Sequence, residues 1–270
     1  MISTASLIAM AITAAVTILG PILAAIVFYR KQKYFAGSVF TGAAVFFLFQ
    51  IVLRIPILQL VLPKMEWYRM LQNNLWGYAI FLGFTAGLFE EVGRYLAFTT
   101  VLKKHQDWKN AVAFGIGHGG IESILLVGFT YISNLMISIM INKGLYDSLF
   151  AQNSQQSEAL AQAKALLIET PSYMYLIAGV ERILTFIIHI ALSVLIMEGI
   201  RKKKGLQYLG LAIFLHMVID SPVVILSGMG ANVLFIELLA LIFAVISFVY
   251  VKKQMRKEMA ERAYENEYQH

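Results

Sequence analysis

Phe89-Glu90-Glu91-Val92-Gly93-Arg94 places two carboxylates and a guanidinium inside a run that is otherwise apolar from Leu75 to Leu102. Such a run can cross a bilayer, whose hydrocarbon core takes about 20 residues of helix. An ionised side chain at the centre of a spanning helix costs roughly 2.5–3.5 kcal/mol on insertion scales, so three of them need partners from elsewhere in the chain.

The whole chain fits that setting. Of its 270 residues 59% are hydrophobic and only 14% charged, and the mean hydropathy is +0.70, values of a polytopic membrane protein rather than a soluble domain. The net charge of +6 does not point to nucleic acid, because the basic residues sit at the ends of apolar runs, where they set orientation. Cysteine is absent, which removes disulfides, thiolate ligands and thiol nucleophiles and leaves His, Asp, Glu, Ser and Thr for any metal or covalent chemistry. The N-terminus lacks a basic n-region and reads as a retained first span.

Spans are predicted at about 5–29, 36–62, 75–102, 110–141, 172–200, 206–227 and 232–251, seven in all. The expected fold is an all-α transmembrane bundle forming one domain over 1–251, with its catalytic core at about 75–227. Gly115, Gly117, Gly119 and Gly120 offer a place for the long fourth run to bend. Basic loops follow the first, third and fifth spans (Arg30/Lys31/Lys33, Lys103/Lys104/Lys109, Arg201 to Lys204), and the tail 252–270 begins Lys252-Lys253. The positive-inside rule then puts the N-terminus outside and the C-terminus in the cytoplasm, in a bacterial cytoplasmic membrane. The external loop 143–170 holds a connecting helix from Ser157 to Ile168, and the charged tail reads as a solvated continuation of the last span.

Deep ionisable residues lie on four spans: Glu90, Glu91 and Arg94; His118 and Glu122; Glu181, Arg182 and His189; His216 and Asp220. Glu90/Arg94, His118/Glu122 and His216/Asp220 are i,i+4 pairs and Arg182/His189 is i,i+7, so each set lies on one helical face. Counted from the cytoplasmic end of its own span, Glu90 is about 13 residues deep, His118 about 9, His189 and His216 about 12. At about 1.5 Å per residue all four fall in one layer about 14–20 Å above the cytoplasmic boundary.

Five carboxylates against Arg94 and Arg182 leave three negative charges to neutralise, by protonation of carboxyls or imidazoles or by a divalent cation. Carboxylate oxygens beside neutral imidazoles, with no thiolate, suit zinc in an open catalytic site. Arg94 and Arg182 are expected to hold Glu91 and Glu181 in place. The glycines near His118, with Gly83 and Gly87, read first as close helix packing.

Glu90-Glu91-x-x-Arg94, Phe114-x-x-x-His118 and His216-x-x-x-Asp220, in this order on separate spans, resemble the signature of CAAX-protease and bacteriocin-processing membrane endopeptidases. The Gly-His-Gly-Gly-Ile-Glu run at 117–122, with Glu181-Arg182 and His189, is similar to the YhfC branch of intramembrane metalloproteases. The resemblance covers spans three to six. Two departures stand out: Arg94 is one residue nearer the glutamate pair than in the prenyl-protein enzymes, and Asp220 replaces a usual asparagine.

The resemblance implies a peptidase acting on a peptide or membrane-protein substrate. It makes Glu90 and His118 the water-activating pair, Glu91 its neighbour, and His216 and Asp220 metal ligands or transition-state donors, with His118, His216 and Glu90 as the metal set. A proton- or cation-coupled transporter would use similar residues, but strung as a track across the membrane instead of one layer. A catalytically inert scaffold is the third reading, against which stands the presence of glutamate or histidine in all three motifs. Nothing in the sequence sets the oligomeric state.

Overall fold

The computed structural model of the chain describes residues 1–32, 36–147 and 157–268, so Lys33 and residues 148–156 of the external loop lie outside it. The described residues form ten α-helices and no strand: α1 Thr4–Gln32, α2 Ala36–Phe46, α3 Glu66–Gln72, α4 Leu75–Thr99, α5 Trp108–Glu122, α6 Phe129–Asn142, α7 Ser157–Glu169, α8 Ser172–Arg201, α9 Gly205–Gly228 and α10 Val233–Tyr268. This is an all-α polytopic bundle. Among the described residues six helical runs are long and apolar enough to cross a membrane: α1, Ala36–Lys64, Trp108–Asn142, α8, α9 and Val233–Glu261. The 25-residue α4 carries the three charges at Glu90, Glu91 and Arg94 and is not among those six.

Two helical runs contain π-helical stretches. After α2 the chain is π-helical over Phe47–Arg54 and Ile57–Val61. The fourth predicted span gives way at Ser123–Gly128, immediately after Glu122, instead of at the glycines that precede it. Helix starts follow side-chain chemistry: Asn74 accepts a hydrogen bond from the Gly77 N–H at 2.9 Å at the head of α4, and Asp107 accepts one from Asn110 N–H at 3.0 Å at the head of α5.

The residues divide into two compact units, Met1–Ile22 with Ser123–Ile183, and Leu23–Glu122 with Leu184–His270. The first has its own core of Ile2, Met10, Ile141, Tyr146, Leu167 and Tyr175. Thr13 Oγ1 donates to the Tyr175 carbonyl at 2.6 Å, and Asn142 exchanges two hydrogen bonds with the Ile2 backbone.

The second unit packs α2 against α5 and α4 against α9 at backbone distance. A Cβ on Gly117 would overlap the Val39 carbonyl oxygen, and one on Gly42 would overlap that of Phe114. Across the other pair, a Cβ on Gly83 would strike Ser221 Oγ, and one on Gly87 would stand 2.8 Å from the Ile213 carbonyl oxygen. The glycines thus serve close helix packing.

The charged continuation of α10 is not solvated on every side. Glu258 is 3% exposed, accepts from the Trp108 N–H that opens α5 at 3.1 Å, and pairs with Arg201 at the end of α8. Just beyond α8, Lys202 pairs with Glu198 at 2.5 Å, which holds its ammonium pKa above the usual lysine range.

Gly117→Ala is therefore expected to cost about 1–3 kcal/mol of stability through forced separation of α2 and α5. Gly210→Ala, with nothing within 4 Å of the new Cβ, should be neutral or gain about 0.5–1 kcal/mol. Thermal unfolding in detergent, followed by intrinsic fluorescence, separates the two.

Candidate metal centre

Glu90 and Glu91 are consecutive on α4, so they point about 100° apart and reach different neighbours. Glu91 is gripped through both oxygens by Arg94, one turn along, and neither side chain is exposed. Its Oε1 is also 2.9 Å from His216 Nδ1 on α9. Arg94 Nη2 in turn stands 3.4 Å from His189 Nδ1 on α8.

Glu90 Oε2 is the point on which three imidazoles converge: His118 Nε2 at 3.0 Å, His189 Nδ1 at 3.8 Å and His216 Nε2 at 3.9 Å. The second nitrogen of two of these rings is committed to a carboxylate, His189 Nε2 to Glu122 at 2.6 Å and His216 Nδ1 to Glu91. A carboxylate only accepts, so in each of these pairs the nitrogen carries the proton. Imidazoles that ligate metals are backed in this manner by a carboxylate or a carbonyl. His118 is held otherwise, between the rings of Phe46 and Phe114. Its buried Nδ1 has no hydrogen-bond partner among the described residues.

The donor set fits a divalent cation. Glu90, His118 and His189 each offer a ligand atom, all within 4.8 Å of one another. Ligands at zinc bond lengths stand about 3.4 Å apart, a value bracketed by the 3.0–3.9 Å spacings around Glu90. Charge agrees. In this unit Glu90, Glu91, Glu122 and Asp220 face the guanidiniums of Arg54 and Arg94, a formal excess of two negatives that one divalent ion would balance.

The residues expected in one membrane layer, Glu90, His118, His189 and His216, are brought together, with Glu91, Arg94, Glu122 and Asp220 around them. Asp220 lies 3.4 Å from His216 Nε2, and its side chain, 40% exposed, is the most open of the set. Arg94 holds Glu91 as expected, and Arg182 pairs with Glu181, but that second pair belongs to the first unit. Sequence reasoning gave His189 only a supporting role, whereas it offers a ligand atom beside those of Glu90 and His118. It passed over Arg54, which is buried in the Ala36–Lys64 run. The signal was there: Gln50 and Arg54, four apart, are the only polar residues of Phe47–Arg54.

Residues 16–240 match the family described as YhfC intramembrane metalloprotease. The chain belongs to the YhfC family. A YhfC relative from Bacillus subtilis (strain 168), named "Uncharacterized membrane protein YhfC", is 32% identical over 258 residues, 95% of this chain and 99% of its own. No solved structure matches. The stretch matched by the YhfC family contains every residue of the cluster.

For this YhfC protein, purified in detergent after growth with zinc, mass spectrometry should find about one metal ion per chain, the load of a single site. His189→Ala should lose it, while His105→Ala, in an exposed loop, keeps it. Glu122→Gln should weaken metal affinity about 10–100-fold in a chelator competition.

Proposed function

We propose that this chain is an intramembrane endopeptidase that hydrolyses peptide bonds within or near the bilayer, with a divalent metal, zinc by the chemistry of its donors. The observation that carries this reading is the convergence of His118, His189 and His216 on Glu90 Oε2. Supporting it are the family's description and the ordered motif resemblance to the CAAX-protease and bacteriocin-processing endopeptidases.

His118, His189 and His216 would hold the cation, with Glu90 beside it as proton acceptor. Bound there, a cation would lower the pKa of water and polarise a carbonyl. The chain's own residues do the rest. Glu90 Oε2 takes a proton from water as the water oxygen bonds to the scissile carbonyl carbon. The same proton passes to the departing nitrogen as the C–N bond breaks, giving a carboxylic acid and an amine.

Glu91, neutralised by Arg94, keeps His216 in one tautomer and orientation. Asp220, at the open side of the cluster, accepts a hydrogen bond from a substrate N–H and so orients the peptide. Burial of Glu90 and His118 keeps bulk water from competing. We place α4 across the membrane as a seventh span, with the N-terminus outside and the C-terminus in the bacterial cytoplasm, on the alternation of basic loops.

Purified protein in liposomes with a library of single-span peptides, read by mass spectrometry, tests this. Wild type should release defined products. Glu90→Gln should lower the rate about 100-fold or more while keeping its metal. Loss of metal in Glu90→Gln would move Glu90 into the ligand set. A wild type that cleaves nothing but collapses a proton gradient would establish the transporter instead.

A further inference from the structure

The π-helical stretch Phe47–Arg54 is arranged with its apolar residues outward and its two polar residues, Gln50 and Arg54, buried. Arg54 is 9% exposed. Its guanidinium donates from Nη2 to the Leu82 carbonyl at 2.8 Å, from Nε to Thr85 Oγ1 at 3.2 Å, and from Nη1 to Gln50 Oε1 at 3.3 Å. All three acceptors are neutral. Among the described residues no carboxylate lies within ion-pair distance of Arg54, whereas Arg94 is paired with Glu91.

A guanidinium has five N–H donors, so two of Arg54's remain, one on each Nη. An ionisable side chain at membrane depth marks a functional site by default, and no carboxylate of the described residues touches these two N–H groups. The acceptors on α4 locate the guanidinium relative to Glu90. Leu82 and Thr85 precede Glu90 by eight and five residues, and five residues of helix rise about 7.5 Å, roughly two residues of extended peptide. Glu90 and Asp220 are both within electrostatic reach of the guanidinium.

We propose that Arg54, oriented by Gln50, Thr85 and the Leu82 carbonyl, is an anion subsite that binds a negatively charged oxygen of the peptide substrate. The identity of the carrier rests on the peptidase reading; the subsite itself rests on the geometry of Arg54. Two oxygens share the required chemistry: the oxyanion of the tetrahedral adduct, and the terminal carboxylate of a substrate cut near its C-terminus.

Isothermal titration of detergent-purified, metal-loaded protein tests this with three short Ala/Leu peptides. The first carries a phosphonate in place of the central amide and an amidated C-terminus. The second is all-amide with the amidated end, and the third is all-amide with a free carboxylate. Arg54→Gln should weaken one of the anionic peptides about tenfold or more and leave the neutral peptide unchanged, and Arg54→Lys should restore part of the loss.

A loss confined to the phosphonate identifies the oxyanion, and one confined to the free carboxylate identifies the terminal group. Equal binding of all three peptides by wild type and Arg54→Gln overturns the proposal. So does a loss that extends to the neutral peptide, or to the metal content, because Arg54 would then be structural. If wild type binds the anionic peptides through Arg54 yet cleaves none in liposomes, the subsite stands and the peptidase reading falls.

Discussion

The ion pair between Glu91 and Arg94 is the interaction on which the second unit depends. Both side chains are fully buried, and neither could stay charged there without the other. Removing one partner of such a pair costs about 3–5 kcal/mol, since the survivor is left as an uncompensated buried charge. The pair also branches. Through Glu91 it reaches His216 on α9, and through Arg94 it reaches His189 on α8. A contact within one turn of α4 therefore sets the orientation of imidazoles on two other helices.

Around that pair the cluster is graded. Glu91 is neutralised inside the protein, Glu122 is tied to His189, and Glu90 has only imidazoles for close company. One carboxylate is thus left without a guanidinium at the point where three imidazoles meet. Asp220 sits at the edge, where a substrate would arrive. The grading separates scaffold from chemistry among four acidic groups of one type.

Much of the fold was legible because hydropathy measures what a bilayer demands. The predicted run 172–200 became Ser172–Arg201, and 206–227 became Gly205–Gly228. The clustering of Glu90, His118, His189 and His216 was legible for a related reason: helices of fixed rise in a slab of fixed thickness turn residue counts into depth. Periodicity does not register where a helix changes winding, so the π-helical stretch at Ser123–Gly128 went unread and only a bend at the glycines was expected. The i,i+7 stripe of Arg182 and His189 implied a shared site, yet the two residues belong to different units. Arg54 escaped because a single arginine late in an apolar run resembles a boundary residue. Only its burial and its acceptors distinguish it.

The long α10 has a mechanical meaning. Its 36 residues extend about 54 Å, well past a hydrocarbon core of about 30 Å. Glu258, near its far end, holds the first N–H of α5 and the last arginine of α8. His118 lies ten residues along α5 from that anchor, about 15 Å away. A helix pinned at one end cannot screw about its axis without breaking the pin, and a turn of α5 would swing His118 off Glu90. The last stretch of the chain thus acts as a torsional brake on a ring buried at the centre of the cluster.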